Sequence, residues 1–462
     1  MRYLAALVVL VVFVAAGAFV YAGRQPGPSI EITKPAKYVG QSTPVEVAVT
    51  SPGARVSAMR VVFEQNGKQT PLFSLESPAN ADVKQETGDR VRVTRLITRE
   101  TVPDLKTGAA RIVVTASRKV LHGMRTIQSS AVRDVQVRLE RPTIAVLSTK
   151  HYVNLGGSEM VVYRATPADV ESGVQVGDLT YPGYPASGAN VEGVHIGDPA
   201  VKVAFFALRF DQDVNTLMFA YARDEAGNSA RADFDHLAFP KPFKRSRIEL
   251  NDQFLNRVVP AILETTTEIK PEGDTLQKFL AINGDLRRRN AETIASFARK
   301  SAPEILWGGV VFHPFTNTAV EAAFADHRTY IYQGKEVDRQ VHLGFDLARV
   351  VNSPVVAANK GKVLYAAPLG IYGNCIILDH GMGVQSLYGH LSSIGVQVGQ
   401  TVEKEQELGK SGMTGLAGGD HLHFTMLVNG QMVNPVEWWD AHWIQDRILR
   451  KLHEASGGPA TK

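Results

Sequence analysis

The sequence contains a single cysteine, Cys375, among its 462 residues. One thiol cannot form an intramolecular disulfide, so the chain is not a small disulfide-stapled scaffold. The shortage of cysteine also excludes four-cysteine zinc sites and iron–sulfur clusters. Any metal must therefore be held by histidine and carboxylate side chains. Cys375 stands in an apolar stretch between Asn374 and Ile376, and we expect it to be a core residue.

A large excess of charge of either sign is also missing. Fifty Lys and Arg residues face 46 Asp and Glu residues, which leaves a formal net charge of +4. Proteins that bind nucleic acid usually present a strongly basic face, so we expect no nucleic-acid partner. Hydrophobic residues make up 44% and charged residues 21% of the chain, as in ordinary globular proteins, which argues against disorder.

A long uncharged run occurs at the N-terminus and is not repeated. It extends from Leu4 to Ala22, and a helix of that length would span roughly 28 Å, close to the hydrocarbon core of a bilayer. Two interpretations are open. Val20-Tyr21-Ala22 fits the cleavage site of a signal peptide, but the run exceeds the usual core of about 7–15 residues, which favours an uncleaved transmembrane anchor. Either way, we expect a protein of the cell envelope with its bulk periplasmic or extracellular, single-pass if the anchor is retained.

The rest of the chain is predicted to be mainly β, with one helical interruption. Short segments that alternate between apolar and polar residues, separated by turns, predict two β-sandwich modules. The hairpin at 222–228 resembles the closing hairpin of bacterial Ig-like domains. In the helical stretch that follows, Asp274 is predicted to be an N-cap. The predicted domains are a membrane anchor or signal segment at 1–23, a β-sandwich at 28–141, an Ig-like β module at 142–240, a helical connector at 241–306, an antiparallel-β domain at 307–440 and a C-terminal helix and tail at 441–462.

Three histidine-bearing motifs follow one another in the predicted C-terminal domain. They are His342-Leu343-Gly344-Phe345-Asp346, Tyr388-Gly389-His390-Leu391-Ser392 and Gly418-Gly419-Asp420-His421-Leu422-His423-Phe424. Two imidazoles and one carboxylate are a donor set that zinc favours, and they leave one position open for water. On a strand, the two histidines of a His-x-His pair point to the same face. Each motif alone is a weak signal, whereas their order and the glycines around them are specific.

This arrangement resembles the lysostaphin/LytM-type zinc endopeptidases of the bacterial cell wall, over roughly 341–435. The resemblance implies a small antiparallel β domain with a groove and one Zn²⁺ per catalytic domain. It assigns His342, Asp346 and His423 as the zinc ligands. It assigns His390 and His421 as the pair that positions and deprotonates the attacking water. Nickel or cobalt would fit the same ligand types.

The function that the resemblance implies is zinc-dependent hydrolysis of the peptide cross-links of peptidoglycan. The partners would be peptidoglycan stem peptides, the membrane through the N-terminal helix and, as further candidates, other proteins of the cell-wall machinery. The alternative is a non-enzymatic activator of other cell-wall hydrolases, but such relatives lack one or more of the five site positions and this chain has all five. The β modules and the connector are expected to position the catalytic domain or to cover its groove.

Some positions depart from the family pattern or stand outside it. Asp420 replaces a usual Pro, and Thr425 stands where Glu is common. Neither is a predicted ligand, so they bear on substrate preference more than on activity. For Arg328, a surface position is favoured over one that lines the groove and meets a peptide carboxylate.

Overall fold

The computed structural model of the protein describes residues 2–77 and 81–457, so the end of the predicted C-terminal tail lies outside the described residues. Strands account for 45% and helices for 20% of the chain, so the fold is mainly β, as the sequence predicts. The chain divides into two compact units. One comprises Met1–Pro142 with Arg223–Ser229, and the other comprises Thr143–Ala222 with Ala230–Lys462.

The first unit contains an apolar helix and two β-sheets. Helix α1 (Arg2–Gly23) is long and apolar enough to cross a membrane, by length and composition. The strands are β1 (Ser29–Lys34), β2 (Tyr38–Val39), β3 (Ser42–Thr50), β4 (Val56–Gln65), β5 (Lys68–Ser74), β6 (Asp82–Thr87), β7 (Arg90–Thr98), β8 (Gly108–Val120) and β9 (Arg125–Val137). They form sheets in the orders β1-β3-β7-β6 and β2-β9-β8-β4-β5. Both sheets contribute to one hydrophobic core, because alternate residues such as Val45, Val47 and Val49 point inward.

The second unit begins with short strands in three sheets. These strands are β10 (Thr143–Val146), β11 (His151–Asn154), β12 (Ser158–Thr166), β13 (Glu171–Val176), β14 (Leu179–Pro182), β15 (Tyr184–Pro185), β16 (Val201–Ala207), β17 (Met218–Arg223), β18 (Ser229–Asp233) and β19 (His236–Phe239). The sheet orders are β10-β12-β16-β15, β11-β19 and β14-β13-β17-β18. The Ig-like character of this module stays a prediction.

A strand and three helices make up the connecting segment. They are β20 (Arg245–Leu250), α2 (Asp252–Thr265), α3 (Thr275–Ala281) and α4 (Arg287–Ser296), with a π-helical turn at Ile282–Leu286 between the last two helices. Asp274 caps α3 as predicted, in a capping box with Gln277. The π-helical turn contains Gly284.

The C-terminal domain is built around an eight-stranded sheet. Its strands are β21 (Ala319–Ala322), β22 (Asp326–Tyr332), β23 (Lys335–His342), β24 (Phe345–Ala348), β25 (Pro354–Val356), β26 (Gly361–Pro368), β27 (Asn374–Gly381), β28 (Val384–Leu391), β29 (Ser393–Ile394), β30 (Thr401–Val402), β31 (Glu407–Lys410), β32 (Leu422–Val428) and β33 (Gln431–Val433). The large sheet has the order β21-β24-β32-β28-β27-β26-β30, with β33 beside β32. Two further sheets have three strands each, in the orders β20-β22-β23 and β25-β31-β29. Cys375 is fully buried in β27, as predicted.

Short helices follow the last strand and pack against the rest of the second unit. They are α5 (Pro435–Trp438), α6 (Ala441–Ile444) and α7 (Arg450–Ala455), with a π-helical turn at Gln445–Leu449. Buried hydrophobic side chains from Val153 to Leu452 form one continuous cluster. The β strands after residue 143, the connector and the C-terminal domain therefore share a single core.

Candidate active site

Strand pairing brings the five predicted site residues to one end of the large sheet. His342 ends β23, and Asp346 lies directly opposite His423 in the antiparallel pair β24–β32. His390 lies near the end of β28, the other neighbour of β32. His421 precedes β32, two residues from His423, in a bridge with Gly412.

Three ligand-type atoms converge within this cluster. Nε2 of His342 lies 2.9 Å from Oδ1 of Asp346 and 3.0 Å from Nδ1 of His423. Nδ1 of His423 lies 2.9 Å from the same carboxylate oxygen. All three side chains are buried.

Neighbouring acceptors determine which nitrogen of each imidazole carries the proton. Nδ1 of His342 lies 3.1 Å from the carbonyl oxygen of Ala323, which can only accept, so this nitrogen is the donor. The Thr425 hydroxyl donates to the carbonyl of Leu343 at 2.7 Å, and its oxygen, 3.1 Å from Nε2 of His423, accepts from that nitrogen. In the neutral form of each ring, Nε2 of His342 and Nδ1 of His423 are therefore the nitrogens that carry the lone pair.

The donor set fits a bound metal ion. In neutral rings, two imidazole lone pairs and a carboxylate oxygen at about 3 Å from one another would repel unless a cation or a proton lay among them. Neutral imidazole and carboxylate are also the states in which these groups bind divalent metals. His342, Asp346 and His423 thus have the chemistry and the arrangement of a metal site.

The two remaining histidines stand beside these three, and each holds its Nδ1 against a backbone carbonyl. Nδ1 of His390 donates to the carbonyl of Thr414 at 2.8 Å, and Nδ1 of His421 donates to that of Gly419 at 3.0 Å. Their ring centroids are 4.8 Å apart, and the ring of His390 is 5.7 Å from that of His423. Nε2 of His421 lies 3.5 Å from Oδ1 of Asp346. Burial lowers the pKa of His421, but the hydrogen bond and the charge of Asp346 outweigh it and raise the pKa above its ordinary value. Burial, followed by the charges of the neighbouring imidazoles, holds the pKa of His390 well below its ordinary value, so the ring is neutral.

Local backbone features allow this crowding. A Cβ on Gly344 would come within 2.5 Å of the His423 ring and of the Thr425 hydroxyl, so only glycine fits there. His390 has a φ of 63°, in the left-handed region that non-glycine residues rarely adopt. Strain of this kind persists where the surrounding structure fixes a side chain in place.

Arg328 is not the surface residue that the sequence predicted. Its side chain is only 20% exposed, and Nη2 donates to Oδ2 of Asp346 at 3.1 Å. Strand β22 pairs with β23 in a register that sets Asp326 opposite His342. Arg328 follows Asp326 by two residues in the same strand and is thereby brought near the site. This contact depends on strand register, and no local motif around Arg328 signals it.

The five histidine and aspartate side chains line a cavity of about 650 Å³. Arg328 and Tyr372 line it too, and the Tyr372 ring lies 5.4 Å from that of His423. The connector forms part of the wall, with residues from β20, α2 and α4 facing the cavity. Arg257 of α2 donates to the carbonyl of Ala417 at 2.8 Å and so joins the connector to the loop that precedes His421.

Comparison with known proteins identifies the C-terminal domain. Peptidase family M23 matches residues 340–435, which contain all five site residues. This match agrees with the resemblance in the motifs.

Individual relatives match over the same part of the chain. A protein of Haemophilus influenzae described as an uncharacterized metalloprotease is 36% identical over 137 residues, or 29% of this chain and 28% of the relative. The DD-carboxypeptidase/endopeptidase Mpg of Neisseria meningitidis is 33% identical over 28% of this chain and 29% of its own length. The peptidoglycan DD-endopeptidase ShyA of Vibrio cholerae is 36% identical over 21% and 22%, respectively. The matches thus span less than a third of these curated relatives.

Among solved structures, the catalytic domain of lysostaphin from Staphylococcus simulans is 28% identical to this chain. The alignment covers 27% of this chain and 92% of that domain, with a TM-score of 0.23.

Proposed function

We propose that the Peptidase family M23 domain at residues 340–435 is a metal-dependent endopeptidase that hydrolyses peptide cross-links of bacterial peptidoglycan. The observation that carries the proposal is the convergence of three ligand-type atoms beside two buried imidazoles that are each fixed through Nδ1 to a backbone carbonyl. The substrate class is supported by relatives that are named peptidoglycan DD-endopeptidase and DD-carboxypeptidase/endopeptidase.

In this proposal, His342, Asp346 and His423 hold one Zn²⁺. Two neutral ligands and one carboxylate leave the site with a net charge of +1. When bound, zinc acts as a Lewis acid that polarises the scissile carbonyl and lowers the pKa of water. Thr425 and the carbonyl of Ala323 keep the two imidazoles in the ligand tautomer.

His390 and His421 handle the protons. Each imidazole is fixed through Nδ1 to a backbone carbonyl, so its Nε2 lone pair faces the cavity and can take the proton of the attacking water. The protonated ring then donates a hydrogen bond to the oxyanion that develops at the carbonyl carbon, or returns the proton to the leaving amine. The two residues divide these tasks between them because their rings lie side by side.

The location follows from the proposed substrate together with helix α1. An apolar N-terminal helix would bring the chain to the envelope as an anchor or as a signal segment. Peptidoglycan lies on the far side of the inner membrane, where the bulk of the chain would meet it.

The test uses the full chain, purified in detergent and incubated with isolated peptidoglycan, with released muropeptides identified by mass spectrometry. We expect new products in which cross-links are cleaved, and we expect them to disappear with a chelator and in the variants His423→Ala and His390→Ala. His442→Ala is the matched control, because that side chain is 84% exposed and does not line the cavity.

The outcomes separate the candidate functions. Products that require metal and both histidines support the endopeptidase. A protein that binds no metal and releases no product would contradict it and would favour the non-enzymatic activator.

A further inference from the structure

We propose that Arg328 is a positioning residue that restricts Asp346 to one metal-binding oxygen. This inference rests on the proposed metallopeptidase function. It concerns which oxygen of the Asp346 carboxylate binds the metal, a choice that the five site residues alone do not determine.

The two oxygens of Asp346 have different partners. Oδ1 faces the imidazole nitrogens of His342 and His423, at 2.9 Å from each. Oδ2 accepts a hydrogen bond from Nη2 of Arg328 at 3.1 Å. A charge-assisted bond of this kind is roughly twice as strong as a neutral one. The guanidinium therefore competes with the metal for Oδ2 and leaves Oδ1 as the ligand atom.

A one-oxygen carboxylate matters because of the number of ligands. With two imidazoles, it makes three protein ligands and leaves a fourth position for water or substrate. If Oδ2 also bound the metal, it would occupy space in the coordination shell that the reaction needs. Arg328 is thus expected to keep the metal four-coordinate in the resting protein.

Charge near Arg328 is balanced by a second carboxylate. Nε of Arg328 lies 3.5 Å from Oδ2 of Asp326, a residue that is buried. One guanidinium between two carboxylates adds little net positive charge to the metal site. Its effect on Asp346 is therefore to orient the carboxylate. A lysine at this position carries a single ammonium and could not reproduce the planar guanidinium fork.

The strand that carries Arg328, β22, is paired along both of its edges. Strand β22 is the central strand of its three-stranded sheet, in which Arg328 pairs with Ser246 of β20 and Gln340 of β23. The guanidinium is therefore carried by a strand that is hydrogen-bonded along both edges. Such support is what precise placement of a ligand group requires.

The test measures metal coordination directly. The full chain in detergent is freed of metal with a chelator and titrated with Co²⁺, whose visible absorption is stronger in a four-coordinate site than in a site with more ligands. We expect Arg328→Met to weaken this absorption, because Oδ2 of Asp346 would then be able to join the coordination shell. We also expect kcat on peptidoglycan fragments to fall while KM changes by less than about twofold, because the interaction acts on the metal site.

Two further variants complete the design. Arg339→Met is the matched control, since Arg339 lies on the adjacent strand β23, is 75% exposed and pairs with Glu336. It should keep the wild-type spectrum. Arg328→Lys retains the charge and should lie between wild type and Arg328→Met. If Arg328→Met does not fold, as judged by circular dichroism, the spectrum of Arg328→Lys decides the question.

A wild-type spectrum in Arg328→Met would overturn the inference. A higher KM at unchanged kcat would overturn it as well, and would identify Arg328 as a contact for a substrate carboxylate. If the wild-type chain itself bound no Co²⁺, both the proposed function and this inference would fall. Wild-type binding and cleavage combined with an unchanged Arg328→Met would refute only the inference.

Discussion

Lys451 and Glu159 form an ion pair in which neither side chain is exposed, with Nζ 2.6 Å from Oε1. Nζ also donates to the carbonyl of Met160, and Oε2 of Glu159 accepts from the backbone N–H of Tyr152 at 2.9 Å. The pair joins helix α7 at the end of the chain to strand β12, 292 residues earlier. The C-terminal domain is therefore tied to the preceding β strands by charge as well as by apolar packing.

Loss of one partner of this pair should destabilise the second unit strongly. Lys451→Met removes the nearer of two cations from the buried Glu159 carboxylate, since Nε of Arg447 stays 4.0 Å from Oε2. Breaking a buried pair typically costs about 3–5 kcal/mol. We expect a clear fall in the midpoint of thermal unfolding, monitored by circular dichroism. Adding Glu159→Met should restore much of the loss, because it removes the buried carboxylate.

The control for Lys451 is an exposed pair of the same kind. Arg288 and Glu292 lie 2.6 Å apart with both side chains more than half exposed. Arg288→Met should cost less than about 1 kcal/mol. An equal loss in both variants would show that burial does not determine the contribution of the Lys451–Glu159 pair.

Glu437 should make stability depend on pH. Its buried carboxyl accepts hydrogen bonds from Asn154 at 2.9 Å and from the backbone N–H of Ser158 at 2.8 Å. Burial raises its pKa from 4.5 to about 7, although these bonds oppose the shift. Since the folded state binds the proton more tightly, Glu437 stabilises the fold below about pH 4.5 and loses this contribution as the pH rises through 7.

Glu437→Gln cannot titrate at this position. Relative to this variant, the free energy of unfolding of the wild type should fall by roughly 3 kcal/mol between about pH 4.5 and about pH 8. Urea unfolding at both pH values measures the difference. Glu292→Gln changes a side chain that is 64% exposed, and its free energy of unfolding should depend on pH as that of the wild type does. A constant difference between wild type and Glu437→Gln across this range would refute the assignment.

Thr425 should contribute to metal affinity although it cannot reach the metal. Thr425→Val keeps the shape of the side chain but removes the oxygen that accepts from Nε2 of His423. The ring can then adopt the tautomer that protonates its ligand nitrogen. We expect the affinity for Zn²⁺, measured by competition with a chelating dye, to fall by about 10–100-fold.

The comparison for Thr425→Val is Thr401→Val, at an exposed position in strand β30 of the same domain. It should bind Zn²⁺ as the wild type does. Equal affinities in wild type and Thr425→Val would show that another contact fixes the His423 tautomer.

The sequence predicts the mainly β fold and a set of five side chains that the structure brings into one cavity. It does so because the motifs are local: His342 and Asp346 are four residues apart, and His421 and His423 are two apart. Arg328 escapes such reasoning because its contact with Asp346 arises from the pairing of β22 with β23.

The sequence does not predict the shared core, and it leaves open whether the connector positions the catalytic domain or covers its groove. The sequence locates the helices of the connector through caps such as Asp274, but it does not say which surface they meet. In the structure, these helices form part of the wall of the cavity. An amphipathic helix such as α2 packs there against residues that are far from it in sequence.

The contact between α2 and the loop before His421 should limit access to the cavity. Arg257 donates to the carbonyl of Ala417, and the connector forms part of the wall beside the site. Without this bond α2 is held to the loop by fewer contacts. A cross-linked substrate needs more room than a short peptide. We therefore expect Arg257→Ala to increase the cleavage of intact peptidoglycan several-fold, with little change on a soluble peptide.

This experiment is best performed in the full chain. A fragment from Trp307 onward would expose the core that it shares with the preceding strands, and Glu437 and Lys451 would lose Ser158 and Glu159. Arg247→Ala is a suitable control, because Arg247 belongs to the same connector, is 64% exposed and pairs with Glu249. Equal rates on both substrates in wild type and Arg257→Ala would show that the connector supports the wall of the cavity without restricting entry. A lower rate on both substrates would show that Arg257 holds the loop of His421 in its active position.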